Sequence, residues 1–321
     1  MSVMANETTE TTNHVVRGKW IQRAGNGRYE ITDRTLAMLM ILPSVILISA
    51  FAIYPVIQGF IASFFQVESA TLAMTFNGAN NYLQLFSNSL FWESLSRTLI
   101  WTFSTISVQI TVGLGISLLL HQELKGRNLA RGLVLFPYLI PAVVIAVTWR
   151  FILDPTLGVV NHTLVNWGLI ERPIAFLASK STALIFVIIG GIWKYTPFVV
   201  IMLLARLQVI PVDLEEAAQI DGASRWQVFR HITLPWLMPV IVITLLLRTI
   251  WMFNEFDMVY LFAFGGPLFG TTTLPVLVRY LAFDAQKIGM AAATSSVMVA
   301  ILMLMSWGYF SWYNRAEENL I

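Results

Sequence analysis

Long apolar runs, almost free of charge, dominate the pattern of hydrophobic and polar positions. The first run extends from Leu36 to Val67 without one Asp, Glu, Lys or Arg. A membrane-spanning helix needs about 20 mostly apolar residues, so this run predicts a tilted helix or a kink at Pro43 or Pro55. The whole pattern predicts an all-α membrane protein with six transmembrane helices. The five other runs are Thr98–Leu120, Gly132–Trp149, Ser181–Ala205, Leu234–Phe262 and Ile288–Tyr313.

The two ends of the chain are polar. Residues 1–35 lack the basic start, the apolar stretch and the small-residue cleavage site of a signal peptide, so we expect a retained tail. Within it we expect a short amphipathic piece around Trp20 and Ile21. Residues 314–321 are expected to form a second tail, which leaves 36–313 as the transmembrane domain.

Lysine and arginine are unevenly distributed over the segments between the runs. If six helices span the membrane, both termini lie on one side, which holds twelve of these residues, and four lie on the other side. Because basic residues accumulate in cytoplasmic loops, both termini are predicted to be cytoplasmic. The twelve are Arg17, Lys19, Arg23, Arg28, Arg34, Lys125, Arg127, Arg131, Arg206, Arg225, Arg230 and Arg315, and the four are Arg172, Lys180, Arg279 and Lys287.

Composition agrees with a membrane protein and narrows the chemistry. Hydrophobic residues make up 57% of the chain and charged residues 12%, whereas soluble proteins carry about 25% charged residues. The net charge of +2 indicates no nucleic-acid partner. The absence of cysteine excludes disulfides and thiolate metal sites. Since His121, His162 and His231 also lack the spacing of metal ligands, no metal site is predicted.

The segment 208–235, on the predicted cytoplasmic side, has the signals of two short helices joined by a sharp corner. Pro211 and the carboxylates after it suit a first helical turn. Gly222 lies where a helix would end with a positive φ angle. Ser224 begins a capping-box pattern, S-x-x-Q, which opens the second helix. Pro235 is expected to end that helix.

The spacing of particular residues in this segment is more specific than its helices. Glu216-Ala217-Ala218 is followed by three residues, Gly222, nine residues, Ile232, one residue and Leu234-Pro235. This spacing matches the EAA motif, and the chain from about Leu36 to Tyr313 resembles the binding-protein-dependent ABC importer permeases of the carbohydrate-uptake type, related to the maltose and glycerol-phosphate importers. The other matching stretches are Asn81-Tyr82, Leu90-Phe91-Trp92, Phe136–Pro141, Trp149-Arg150, Trp193-Lys194, Phe256-Asp257, Tyr260, Gly265-Gly266-Pro267, Thr273-Leu274 and Tyr280–Phe283.

The resemblance implies a type I ABC importer permease fold in a bacterial inner membrane. It implies a second, different permease subunit, two cytoplasmic ATPase subunits that bind ATP and Mg, an extracytoplasmic solute-binding protein and surrounding lipid. The chain itself would be no enzyme and bind no cofactor, since it lacks a G-x-x-x-x-G-K-[ST] phosphate loop. Carried over by position, the residues that contact the ATPase would be Glu215, Glu216, Ala217, Ala218, Asp221, Gly222, Ile232, Leu234 and Pro235.

Ionisable residues inside the predicted spans are candidates for the solute path. Such a group costs about 2.5–3.5 kcal/mol at the bilayer centre, so each has a structural or functional role. The groups either pair among themselves, as Arg248 and Glu255 on one helix face would, or bind sugar hydroxyls. For Lys194 and Arg150 we favour the structural role. The candidates for the path are Lys194, Arg248, Trp251, Asn254, Glu255 and Asp257.

Two other classes of function are considered. An ion-driven secondary transporter would carry paired acidic sites deep in its spans and a related second half. Here the deep acidic residues are few, and we expect no related second half. A membrane enzyme would need a nucleophile and base or a metal cluster. The leading interpretation is a sugar importer subunit, with a glycerophosphate-like or other polar solute as the alternative cargo. The outward segment with Gly265-Gly266-Pro267 and Thr271–Thr273 either contacts the binding protein or forms a tight turn.

Overall fold

The computed structural model describes residues 21–23, 29–31, 33–68 and 70–318, which are mostly helical. Five helices are long and apolar enough to cross a membrane, and a bent pair of helices makes a sixth. The prediction of six membrane helices is therefore confirmed within the described residues, with one of the six broken. Trp20 lies outside the described residues, whereas Ile21 begins a short strand.

The chain divides into two compact units, residues 1–58 and 59–321. The described strands β1 (Ile21–Arg23), β2 (Tyr29–Ile31), β3 (Phe65–Val67) and β4 (Met74–Phe76) pair as two antiparallel hairpins, β1 with β2 and β3 with β4. The all-α prediction omitted these hairpins because three-residue strands are too short for an alternating pattern. The described helices are α1 (Asp33–Ile48), α2 (Tyr54–Ala62), α3 (Asn80–Ser87), α4 (Ser89–His121), α5 (Arg127–Leu139), α6 (Ala142–Ile152), α7 (Val159–Asn166), α8 (Lys180–Leu207), α9 (Val212–Ile220), α10 (Arg225–Val228), α11 (Leu234–Phe253), α12 (Asp257–Ala263), α13 (Leu274–Arg279) and α14 (Ile288–Glu318).

The first membrane helix contains a π-helical turn just before Pro55. A proline lacks the N–H that would bond to the carbonyl four residues earlier. In the π turn Ser49–Ile53 each hydrogen bond spans five residues instead of four, and the N–H of Tyr54 bonds to the carbonyl of Ser49. The helix therefore continues through Pro55, and the tilt or kink expected of this run stays a prediction. Pro43 lies inside α1.

The same helix ends earlier than predicted. The apolar run continues to Val67, but α2 ends at Ala62 and the chain turns into strand β3. The Asn81 side chain donates to the carbonyls of Ser63 (2.8 Å) and Phe65 (2.9 Å). The hydrogen bonds from Asn81 thus occupy carbonyls that a longer helix would use. The apolar pattern near Ala62 could not predict this contact, because Asn81 lies far along the sequence.

Helix α4 begins well before the predicted start at Thr98. The Asn88 side chain caps it by accepting the N–H of Leu90 at 2.9 Å. Its first turns hold the ion pair between Arg97 and Glu93, four residues apart, which places both charges on one helix face. The fourth and sixth predicted spans are confirmed as α8 and α14.

The third predicted span, Gly132–Trp149, is wrong as a single helix. It is broken into α5 and α6, which meet at 92°. Pro141 disfavours a helical conformation for the residue before it, and Ile140 is extended, with φ −75° and ψ 133°. The freed carbonyl of Ile140 accepts a hydrogen bond from Lys194 Nζ at 2.6 Å.

The fifth predicted span, Leu234–Phe262, is too long: the membrane helix ends at Phe253, and a break separates α11 from the short helix α12. The Asn254 side chain donates to the carbonyl of Ile250 at 2.9 Å and so takes an acceptor at the end of α11. The Glu255 carboxylate accepts the N–H of Met258 at 3.0 Å, at the start of α12. Short polar side chains that bond to nearby backbone end one helix and begin the next.

Close contacts between α4, α8 and α11 form the centre of the second unit. A Cβ on Gly191 would lie 2.4 Å from the Trp101 ring, and one on Gly113 would lie 2.6 Å from Val199. The two glycines therefore let α4 and α8 approach closely. Trp101 Nε1 donates to the carbonyl of Met252 at 2.9 Å and joins α4 to α11.

The segment after α12 is a tight turn whose threonines are buried. Thr271 Oγ1 donates to the carbonyl of Gly266 (2.8 Å), and Thr272 Oγ1 donates to that of Gly265 (2.9 Å). Thr271–Thr273 are at most 1% exposed. Thr271 and Thr272 thus hold the turn together, in agreement with the second of the two interpretations given above.

Candidate functional site

The segment 208–235 folds as two short helices joined at Gly222. Gly222 has a φ angle of +80°. Its N–H bonds to the carbonyl of Gln219 at 3.0 Å, and the N–H of Ala223 bonds to that of Ala218 at 2.9 Å. These two bonds form a Schellman motif, in which the left-handed residue is usually glycine. The predicted corner is confirmed.

The second helix of the segment begins with the predicted capping box. The Ser224 side chain accepts the N–H of Gln227, and the Gln227 side chain accepts the N–H of Ser224 at 2.7 Å. The helix then runs through the π turn Phe229–Thr233, where the N–H of Leu234 bonds to the carbonyl of Phe229. Because this turn shifts the hydrogen bonds ahead of Pro235, that proline does not end the helix, contrary to the expectation.

The corner presents an exposed and partly apolar surface. No residue of α9 is buried, and Glu216 and Ala217 are exposed. Ile220 is 86% exposed and Trp226 is 66% exposed. Two large exposed apolar side chains in a polar segment make this corner a candidate for contact with a partner. We call the surface formed by residues 212–226 the corner surface.

The nine predicted coupling residues fall into two groups. Ile232, Leu234 and Pro235 are half-buried at the base of the segment, where Ile232 and Leu234 pack with Leu207 and Leu237. They anchor the segment and do not belong to the corner surface. The residues on or beside the corner surface are Glu215, Glu216, Ala217, Ala218, Asp221 and Gly222.

Arg206 joins the two ends of the segment. It lies in the last turn of α8, and its Nε donates to the carbonyl of Trp236 in α11 at 2.9 Å. Its guanidinium also lies 5.2 Å from the centre of the Trp236 ring. Hydrogen bonding and a cation–π contact thus hold the end of α8 against the start of α11. The sequence had indicated Arg206 only as one of the basic residues from which the orientation in the membrane is predicted.

Arg248 is the most enclosed charge of the predicted path. It is 1% exposed, and its Nε donates to Gln109 Oε1 of α4 at 3.0 Å. Its guanidinium lies 4.8 Å from the Tyr195 ring and 5.9 Å from each of the Phe198 and Trp251 rings. Aromatic faces stabilise a cation in a dry site.

The surroundings of Arg248 correct one expectation. Among the described residues, the ion pairs are Glu93 with Arg97, Glu93 with Lys180, and Arg279 with Asp284. Arg248 therefore does not pair with Glu255, since the helix ends between them. Sequence reasoning missed the partners Gln109, Tyr195 and Phe198 because they lie on other helices.

Lys194 makes a contact between helices, which fits a structural role, while its place in the solute path stays a prediction. It is 5% exposed, and its hydrogen bond to the Ile140 carbonyl joins α8 to the bend between α5 and α6. Its ammonium also lies 5.2 Å from the Tyr195 ring. A lysine in this position satisfies the carbonyl that the bend leaves without a helical donor.

The other predicted path residues gather at the break after α11. Trp251 is 40% exposed, Asn254 and Asp257 are exposed, and Glu255 is half-buried. Three polar side chains and an aromatic ring thus lie within seven positions of the chain, at and just before the break. Among the described residues, no group of three or more His, Cys, Asp or Glu side chains suits a metal ion.

Comparison with known proteins agrees with this organisation. Residues 109–314 match the family described as the binding-protein-dependent transport system inner membrane component. A probable ABC transporter permease protein of Brucella suis is 34% identical over 287 residues, which cover 89% of this chain and 99% of that protein. The trehalose/maltose transport system permease protein MalF of Thermococcus litoralis is 36% identical over 273 residues, which cover 85% of this chain and 90% of that one.

A solved structure has the same fold. It is a chain of a bacterial ABC transporter involved in the import of the acidic polysaccharide alginate, with a TM-score of 0.74 and 24% identity. The match covers 87% of this chain and 95% of that chain. The likeness extends over nearly all of the membrane region described above.

Proposed function

The chain belongs to the inner membrane components of binding-protein-dependent transport systems, and from this premise we propose that it forms half of the path for a sugar or sugar derivative in an ATP-driven importer. A second, different permease subunit would form the other half. Two cytoplasmic ATPase subunits would bind ATP and Mg, and an extracytoplasmic binding protein would deliver the solute. The observation that carries the proposal is the corner surface, which is exposed on this chain and rigidly held at its base.

We place the corner surface in contact with an ATPase subunit. The small side chains Ala217 and Ala218 permit close approach, and the exposed Glu216 carboxylate can pair with a basic residue of the partner. Ile220 and Trp226 supply apolar area that water otherwise covers. Because Arg206 and the packed base join this surface to α8 and α11, movement of the ATPase would reach the membrane helices.

A sugar is the solute that best fits the candidate path. Trp251 offers an aromatic face, and Asn254, Glu255 and Asp257 offer groups that bond to hydroxyls. A desolvated sugar needs such partners, because an unpaired hydroxyl in an apolar site costs free energy. The relative from Thermococcus litoralis is named for trehalose and maltose transport, which supports the same class.

The test is purification of the tagged chain from its native membrane. ATP hydrolysis is then measured with the binding protein and a panel of neutral sugars, acidic sugars and glycerophosphates. We expect an ATPase and a second permease to co-purify, and one sugar-loaded binding protein to stimulate hydrolysis. A chain that purifies alone, without ATP hydrolysis, would contradict the coupling role. Stimulation of ATP hydrolysis by glycerophosphate alone would contradict the proposal that the transported solute is a sugar.

A further inference from the structure

A cavity of about 510 Å³ lies between the end of α6, the turn after α12 and the segment before α8. Most of its lining is apolar, including Val147, Phe151 and Phe264. Two charged side chains, Arg150 and Asp154, also line it. None of the proposed path residues and none of the corner surface contributes to it.

The cavity lies near the end of the membrane helices, not at their middle. Helix α8 has 28 residues, so at 1.5 Å per residue it is about 42 Å long and exceeds a hydrocarbon core of about 30 Å. Thr182 in its first turn donates to the carbonyl of Phe176 at 2.6 Å. The wall of the cavity formed by residues 175–178 is therefore held beside the end of α8, at the level of lipid head groups.

The two charges in the cavity are not paired with each other. Arg150 takes part in none of the described ion pairs, and its guanidinium lies 4.5 Å from the Phe264 ring. One oxygen of Asp154 accepts the N–H groups of Leu157 and Thr156, each at 2.8 Å. These bonds lower the pKa of Asp154. The cavity thus holds one cation and one anion, and the second oxygen of Asp154 has no hydrogen bond within the described part of the chain.

We propose that this cavity binds the head group of a phospholipid that carries both a phosphate and a primary ammonium, such as phosphatidylethanolamine. The phosphate contacts Arg150, and the ammonium contacts the Asp154 carboxylate. The acyl chains leave along Val147, which is 56% exposed, and Phe151, which is 61% exposed. A simple anion fits less well, because the Asp154 carboxylate would repel it. A neutral sugar would leave the guanidinium unpaired.

Native mass spectrometry of the full-length chain in mild detergent tests the proposal. The chain is incubated with phosphatidylethanolamine, phosphatidylglycerol or phosphatidylcholine, and the retained lipid is measured. We expect phosphatidylethanolamine to be preferred. Arg150→Gln should lower its retention about tenfold, the value of a hydrogen bond to a charged group. Arg172→Gln, an exposed arginine outside the cavity, should leave retention unchanged.

The carboxylate is tested separately, because Asp154→Asn keeps the side-chain oxygen that accepts the two backbone N–H groups. This variant should lose the preference for phosphatidylethanolamine over phosphatidylcholine, whose ammonium cannot donate hydrogen bonds. Equal retention of all three lipids by the unchanged chain would overturn the proposal. So would displacement of the lipid by inorganic phosphate or by a transported sugar, since the site would then bind anions generally or belong to the solute path.

Discussion

At the residue scale, Arg248 is a charged side chain that is almost fully buried, with 1% of its surface exposed. A buried guanidinium needs hydrogen-bond acceptors, and Gln109, which is 0% exposed, supplies one from another helix. Removal of either partner leaves the other unsatisfied, which costs about 1–3 kcal/mol. The pair therefore contributes to the packing of α4 against α11 whether or not Arg248 also contacts solute.

The first prediction separates these two roles. Arg248→Met and Gln109→Leu should each lower the thermal unfolding temperature, and the double variant should lose less than the sum, because it leaves neither polar group unpaired. The measurement is thermal unfolding of the purified chain together with solute uptake. If the double variant recovers stability but not uptake, Arg248 also serves the path. Strictly additive losses of stability would contradict the contact.

Gly222 gives a second prediction, on the corner. A Cβ there would meet no atom within 4 Å, so its φ angle of +80° alone limits substitution. A left-handed conformation costs about 1–2 kcal/mol for a residue with a Cβ, and Asn and Asp tolerate it best. Gly222→Asn should therefore retain more uptake than Gly222→Ala. Gly222→Asp, which matches Asn in shape, should lose more than Asn because it adds charge at the proposed ATPase contact.

Uptake and ATPase stimulation in reconstituted vesicles measure these effects. The order expected is glycine, then asparagine, with alanine and aspartate both impaired. If the alanine variant has the same uptake as the unchanged protein, the corner does not need the left-handed backbone of glycine. If the aspartate variant has the same uptake as the asparagine variant, the contact is not sensitive to charge.

At the scale of elements, the sequence predicted correctly those turns and helix ends that depend on neighbouring residues. The corner at Gly222 and the capping box at Ser224 depend on residues within a few positions, and both are confirmed. The effect of Pro235 was misjudged because a π turn ahead of a proline has no simple sequence signal. The break at Pro141 had a local signal, the residue before proline, which the apolar run concealed.

Contacts between distant elements could not be predicted from one sequence. The end of α2 depends on a hydrogen bond from Asn81, which lies far along the chain. The environment of Arg248 likewise depends on Gln109 and Tyr195, which belong to other helices. The candidate path was therefore predicted as residue types in the fourth and fifth spans, without Gln109, Tyr195 and Phe198, which surround Arg248.

The prediction at this scale concerns Arg206, which joins α8 to α11. If it holds α8 against α11 below the corner surface, Arg206→Ala should reduce solute uptake more than ATP hydrolysis. Arg206→Lys keeps the charge but loses the Nε–H group and the flat face that contacts Trp236. It should therefore behave like alanine. Arg230→Lys, an exposed arginine of the same segment outside the corner surface, is the matched control. Equal uptake per ATP in all variants would contradict the coupling role of Arg206.

At the scale of the whole molecule, the absence of cysteine allows the orientation to be tested directly. Single cysteines are introduced at Ile220, which is 86% exposed, and at Leu268, which is 81% exposed. With cytoplasmic termini, a membrane-impermeant maleimide should label Leu268→Cys from outside intact cells, and Ile220→Cys only after lysis. The reverse pattern would contradict the orientation derived from basic residues.

The central claim is that residues 212–226 contact an ATPase, and a photo-crosslinking amino acid at Ile220 tests it most directly. The chain is expressed in its native membrane with its partner subunits, and the crosslinked protein is identified by mass spectrometry. We predict that position 220 captures the ATPase subunit and that the same group at Leu268, on the opposite side, does not. Capture of lipid or another protein at position 220, with no ATPase, would contradict the account.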